Sequence, residues 1–120
     1  MAFTGVASNL QSVSANIANA TGTQASALAS NVSVIPQSAQ VCTVASGGAG
    51  YSVVLPPSQP GLQIDINLTT ASNTCAVFPY PGDAINALAV NAAITMAAVT
   101  SATFSCVVAG QWWTNPRVPS

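Results

Sequence analysis

Histidine, lysine and glutamate are missing from this 120-residue sequence, and its charged side chains are Asp65, Asp83 and Arg117 alone. General acid–base chemistry at neutral pH needs a group that titrates there. With no His and no Lys, neither the serines nor the cysteines have a partner to activate them as nucleophiles. The chain is therefore expected not to be an enzyme. Asp65 sits on the polar side of an alternating strand pattern and Asp83 follows a Pro-Gly turn, so each reads as a solvated or turn-capping carboxylate rather than half of a catalytic pair. Binding nucleic acid requires several cations to neutralise phosphates, and one arginine does not meet that need. No phosphate loop with its lysine is present either.

Long apolar runs are also lacking. A spanning helix takes about 20 consecutive apolar residues, and the best run, Ala84 to Val99, is broken by Asn86, Asn91 and Thr95. No membrane partner is expected. Met1 to Ala20 has neither the basic start nor the continuous apolar stretch of a signal peptide, so secretion is not expected. The cysteines, Cys42, Cys75 and Cys106, are odd in number, far apart and without histidine to complete a zinc site. They read as small buried hydrophobes, and no metal or cofactor is expected.

What is present is 50% hydrophobic residues against 2% charged, where ordinary soluble domains carry about a quarter charged. The length suits one domain. Its Val, Ile and Thr content argues for a folded chain rather than a disordered one. A monomer with so little charge would expose apolar surface without the usual means of staying dispersed, so a homo-oligomer is expected.

From Ala25 onward, short runs rich in Val, Ile and Thr alternate with Gly, Pro and Asn turns at spacings of about ten residues. Such spacing predicts an all-β fold, a small β-sandwich or barrel of about eight short strands. The strands are expected at Leu28 to Val34, Gln40 to Ala45, Tyr51 to Leu55, Leu62 to Leu68, Cys75 to Phe78, Ala93 to Met96, Ala102 to Val108 and Gln111 to Thr114. The clearest is Leu62 to Leu68, where Leu62, Ile64, Ile66 and Leu68 alternate with Gln63, Asp65 and Asn67. In Ala102 to Val108, alternation assigns Phe104, Cys106 and Val108 to the core face. Gly47, Gly48 and Gly50 supply one flexible turn, Pro56 to Gly61 a rigid connection, and Tyr80-Pro81-Gly82-Asp83 a tight turn.

Residues 1–23 stand apart as an N-terminal arm, 24–114 as the β-domain and 115–120 as a tail. In the arm, Val6, Leu10, Val13 and Ile17 are spaced as one face of a short helix, although the many Ser, Thr, Asn and Gly residues between them favour an extended arm equally. Adjacent strand residues point to opposite faces, so Trp112 and Trp113 cannot share one core. One of them, with Arg117 nearby, is expected at a subunit or shell contact. Tyr51 and Tyr80 join these as candidate interface residues. The aromatic residues together could also form a platform for stacking sugars, but core packing or subunit contact is the preferred role.

The stretch from Ala20 to Thr114 resembles a module of tailed-bacteriophage structural proteins, which include capsid decoration (cement) proteins and head or tail fibre segments. The resemblance runs through Ala20 to Leu28, Val53-Val54-Leu55-Pro56, Pro60-Gly61 with Ile64 and Asn67, Val77-Phe78-Pro79 and Gly82 to Leu88. It continues through Asn91-Ala92-Ala93, Thr103-Phe104 and Ala109-Gly110-Gln111-Trp112. It implies a compact β-domain that trimerises on a phage particle, bound to the major capsid protein on the virion exterior after assembly in the host cytoplasm. It implies no catalytic residues. Because the module makes up nearly the whole chain, without a fibre shaft after Thr114, decoration is the expected role. The alternative is a head-fibre, tail or baseplate component that binds host surface glycans.

Overall fold

The computed structural model describes residues 12–17, 23–29, 33–46, 51–69 and 73–115. The elements run β1 (Ser12–Ile17), α1 (Gln24–Ala29), β2 (Val41–Ser46), β3 (Ser52–Val54), β4 (Gln63–Leu68), β5 (Cys75–Phe78), β6 (Ala84–Ile85), β7 (Ile94–Met96), β8 (Ser101–Val108) and β9 (Gln111–Asn115). The fold is all-β with one short helix. Its strands form a six-stranded sheet in the order β1-β2-β4-β8-β9-β6 and a three-stranded sheet in the order β3-β5-β7.

The two sheets face one another as a sandwich. From the large sheet, Cys42, Val44, Ile64, Ile66, Phe104, Cys106 and Trp112 point inward, and from the small sheet Val53, Cys75, Val77, Ile94 and Met96 meet them in one buried cluster. The alternation along β4 survives intact, with Ile64, Ile66 and Leu68 buried and Gln63 exposed. Each buried Ile or Leu of this kind removes enough apolar surface from water to contribute about 1.5–3 kcal/mol.

From β2 to β5, successive strands alternate between the two sheets rather than forming hairpins. β2 and β4 pair in parallel in the large sheet and β3 and β5 in parallel in the small one, and both partner offsets are 24 residues (Val41 to Asp65, Ser52 to Ala76). Parallel neighbours need a long connection, and here the strand of the opposite sheet lies within that connection. The chain therefore winds as a coil from β2 to β5. It then reverses, as β7 pairs antiparallel to β5, β8 to β4 and β9 to β8.

One expected strand needs correction. The strand expected at Leu28 to Val34 is helix α1 up to Ala29, and beyond it Val34 makes only a single parallel bridge to Val54. The helix arises because Gln-Ala-Ser-Ala-Leu-Ala is rich in strong helix formers. Ala27 and Leu28 pack with Val54 and Phe78, so α1 covers the outer face of the small sheet. For this reason all of β3 is buried on both faces.

Of the two conformations left open for the segment with Val13 and Ile17, helix and extended arm, the structure has the extended one: strand β1, parallel to β2 over its whole length. Val13, Ala15 and Ile17 alternate with Ser12, Ser14 and Asn16, a two-residue period that suits a strand as well as the four-residue spacing suits a helix. Val6 and Leu10 lie outside the described residues.

Candidate interface and the loops that support it

Two Pro-Gly turns shape one end of the sandwich. In Tyr80-Pro81-Gly82-Asp83 the Asp83 amide donates to the Tyr80 carbonyl at 2.9 Å, and in Gln59-Pro60-Gly61-Leu62 the Leu62 amide donates to Gln59 at 3.2 Å. Gly82 and Gly61 hold φ of 97° and 96°. Proline at the second position and a positive φ at the third define type II turns, as the sequence predicts for these two Pro-Gly segments; the turn expected at Gly47, Gly48 and Gly50 lies outside the described residues.

Polar side chains lock these turns to their neighbours. The Asp83 carboxylate accepts from the Ser58 amide at 3.2 Å, and the Ser58 hydroxyl accepts from the Gly110 amide at 2.7 Å. Asn91 Oδ1 accepts from the Gly82 amide at 2.7 Å, and Gln24 Nε2 reaches the Pro79 carbonyl at 2.7 Å. Asp83 is thus a structural tie. The other carboxylate, Asp65, accepts from the Thr103 hydroxyl at 2.6 Å across the β4–β8 pair. Each is engaged by a neighbouring group of its own part of the fold.

On the segments so tied stand the exposed hydrophobics Val90, Val107 and Val108, the last two 69% and 64% exposed. The position of Val108 corrects the core face expected for β8. A bulge between Cys106 and Val108 adds a residue to the strand, and a bulge of this kind turns the following side chain away from its expected face. Val99, before the start of β8, is exposed as well and holds a φ of 56°.

The two tryptophans divide as a strand requires. Trp112 is fully buried in the main core, while Trp113 faces outward and is 37% exposed. Tyr51 packs against the main core and Tyr80 against the smaller cluster under α1, both half-buried. Arg117 lies outside the described residues, and of Val13 and Ile17 only the backbone pairing in β1 is described. The structure therefore gathers Trp112, Tyr51 and Tyr80 into packing and leaves Trp113 outward.

One supporting residue was not anticipated. Asn86, just after β6, holds a φ of 53° and is buried. Its amide donates to Trp112 O at 2.8 Å, its Nδ2 donates to Thr114 Oγ1 at 3.0 Å, and its Oδ1 accepts from the Thr114 amide at 3.0 Å. Gln111 Nε2 donates to its carbonyl at 2.7 Å. Asn86 thus stitches the short β6 to β9. Asparagine is the commonest non-glycine residue at positive φ, a signal available in the Ile85-Asn86 junction had a turn been sought there.

The cysteines are free thiols, all buried. Burial, with Cys42 nearby as a second cause, pushes the Cys75 thiol up to about 12, so it is not a thiolate at neutral pH. Among the described residues no group of three potential metal ligands comes together, and no helix is long and apolar enough to cross a membrane.

No known protein family, curated protein or solved structure matches the chain.

Proposed function

We propose that this protein is a non-enzymatic structural component of a phage particle, a capsid decoration protein that self-associates, as a trimer, on the shell of the major capsid protein. The observation that carries this reading is the hydrogen-bonded loop end, which presents Val90, Val107 and Val108 to solvent on a rigid base. Apolar side chains held exposed on a scaffold that cannot fold away support a contact surface. Many copies joined through such contacts would stabilise a shell by mass action, since each bound copy favours the assembled state. The trimer and the capsid partner rest on the resemblance to phage structural modules.

Counting copies per purified particle by quantitative mass spectrometry tests the proposal. Decoration predicts a copy number on the scale of the capsid protein itself. A number on the scale of one tail or one set of fibres would overturn it.

A further inference from the structure

β1 stands apart from the coil that it borders. It is the first of the described elements and the edge of the large sheet, and its strand pairing among the described residues is with β2 alone. The coil from β2 to β5 and the antiparallel strands after it make their own pairings without it. β2 in turn needs an outer neighbour, because Val41–Ser46 carries no charge or proline to keep a stray strand from pairing with its edge. The register identifies the segment that covers this edge. The same segment from a second copy covers it equally well.

The path from β1 to α1 favours the second copy. Ile17 pairs with Ser46, at the end of the sandwich where β2 gives way to β3. α1 lies on the outer face of the other sheet, and its first residue, Gln24, donates to the Pro79 carbonyl just past β5, at the opposite end. A chain joining the two within one copy crosses the space between the sheets, about 10 Å, and then the depth of a helix, about 10 Å more. It also climbs about 10 Å along the strands, the rise of three residues. These distances combine to about 22 Å in a straight line, without the detour round the edge of the small sheet. The steps from Ile17 to Thr23 reach about 21 Å at full extension. A connection with so little slack favours exchange of the element it carries, since handing that element to a neighbour relieves the constraint.

We infer that β1 is exchanged between copies, so that Ser12–Ile17 of each chain completes the sheet of a neighbour by pairing with its β2, from Ser12 with Val41 to Ile17 with Ser46. This rests on the self-association proposed above and names the segment that provides it. Exchange of an identical element is a low-cost route to an oligomer, because each copy regains the hydrogen bonds that it gives up. Donation from each copy to the next closes as a ring, which is the symmetry of a trimer.

The test uses the full isolated chain with Ser14→Cys and Thr43→Cys, two positions opposite one another in the β1–β2 register. Neighbouring parallel strands stand about 4.8 Å apart, within the Cα separation that a disulfide spans. After oxidation, non-reducing electrophoresis and intact mass should show chains linked to one another. A second variant adds about ten Gly and Ser residues between Gly22 and Thr23, a flexible length that lets β1 reach its own β2. Refolded at low concentration, it should sediment as a monomer and, with the two cysteines added, form the bond within one chain. The inference fails if the bond forms within one chain without the insertion, or if the parent sediments as a monomer. Where no bond forms, sedimentation decides, and an oligomer that the insertion leaves unchanged overturns the exchange. A bond within one chain in a protein that is still oligomeric overturns the exchange but leaves self-association standing, and the copy number per particle tests the decoration role separately.

Discussion

Asn86 concentrates more structural consequence than any other polar residue described. It is buried, its backbone is left-handed, and its side chain both donates to and accepts from Thr114. Asn86→Ala keeps the strained φ and removes both side-chain hydrogen bonds to Thr114, so a loss of about 3 kcal/mol is expected. Asn86→Gly relieves the φ while losing the same bonds, and should fall between the two. Urea unfolding of the three proteins checks the order, and equal stabilities would show that the stitch contributes nothing. A second prediction concerns Cys75. An exposed thiol ionises near 9.0 and this one is held up to about 12, so above pH 9 the unfolded chain releases a proton that the folded chain keeps. Stability from this group is complete below that pH and falls by about 1.4 kcal/mol per pH unit above it. The difference in unfolding free energy between the parent and Cys75→Val should therefore be flat from pH 6 to 8 and shift in favour of the valine variant between pH 9 and 11. A flat difference throughout would contradict the burial of this thiol.

At the level of elements, strands whose two faces meet different surroundings were legible, and those with two covered faces or a covered neighbour were less so. β4 could be bounded to within a residue because Ile64, Ile66 and Leu68 face a core and Asp65 and Asn67 do not. The Pro-Gly turns were equally readable, since proline and a positive-φ glycine leave the chain few alternatives. The coil was hidden in plain view. Val53-Val54-Leu55-Pro56 and Val77-Phe78-Pro79 stand 24 residues apart, the same offset as the strand partners, but the repeat is too degenerate to read without the pairing. α1 was missed because Ala and Leu suit a buried strand as well as a helix when their surroundings are unknown. β1 has an element-scale consequence. It pairs with β2 along its length, and β2, Val41–Ser46, carries no charge or proline to discourage another chain from docking on its edge. A truncation lacking residues 1–20 should retain the β-sheet circular-dichroism signal but aggregate more readily, as seen in light scattering over time. A truncated chain as dispersed as the parent would show that β1 does not guard that edge.

The whole molecule manages its surface with almost no charge. With Asp65, Asp83 and Arg117 as its charged side chains, the chain has little repulsion between copies, so colloidal stability must come from covering apolar surface. This is why the bulge at the end of β8 matters. Without it Val108 would follow Phe104 and Cys106 into the core. With it, Val107 and Val108 both face outward at the end that Asp83, Ser58 and Asn91 hold rigid. Solvent-exposed valines contribute little to the fold of one copy, so replacing both with aspartate should change the unfolding free energy by less than about 1 kcal/mol. In an assembled state the same change would bury two unpaired carboxylates against apolar neighbours, which is far more costly. The double variant Val107→Asp, Val108→Asp is therefore expected to fold as the parent does but to sediment as a monomer and fail to bind particles. A variant that stays oligomeric and decorates particles normally would remove this end of the sandwich from the contact surface. One that unfolds would place the two valines in the packing of the single copy, against their exposure in the structure.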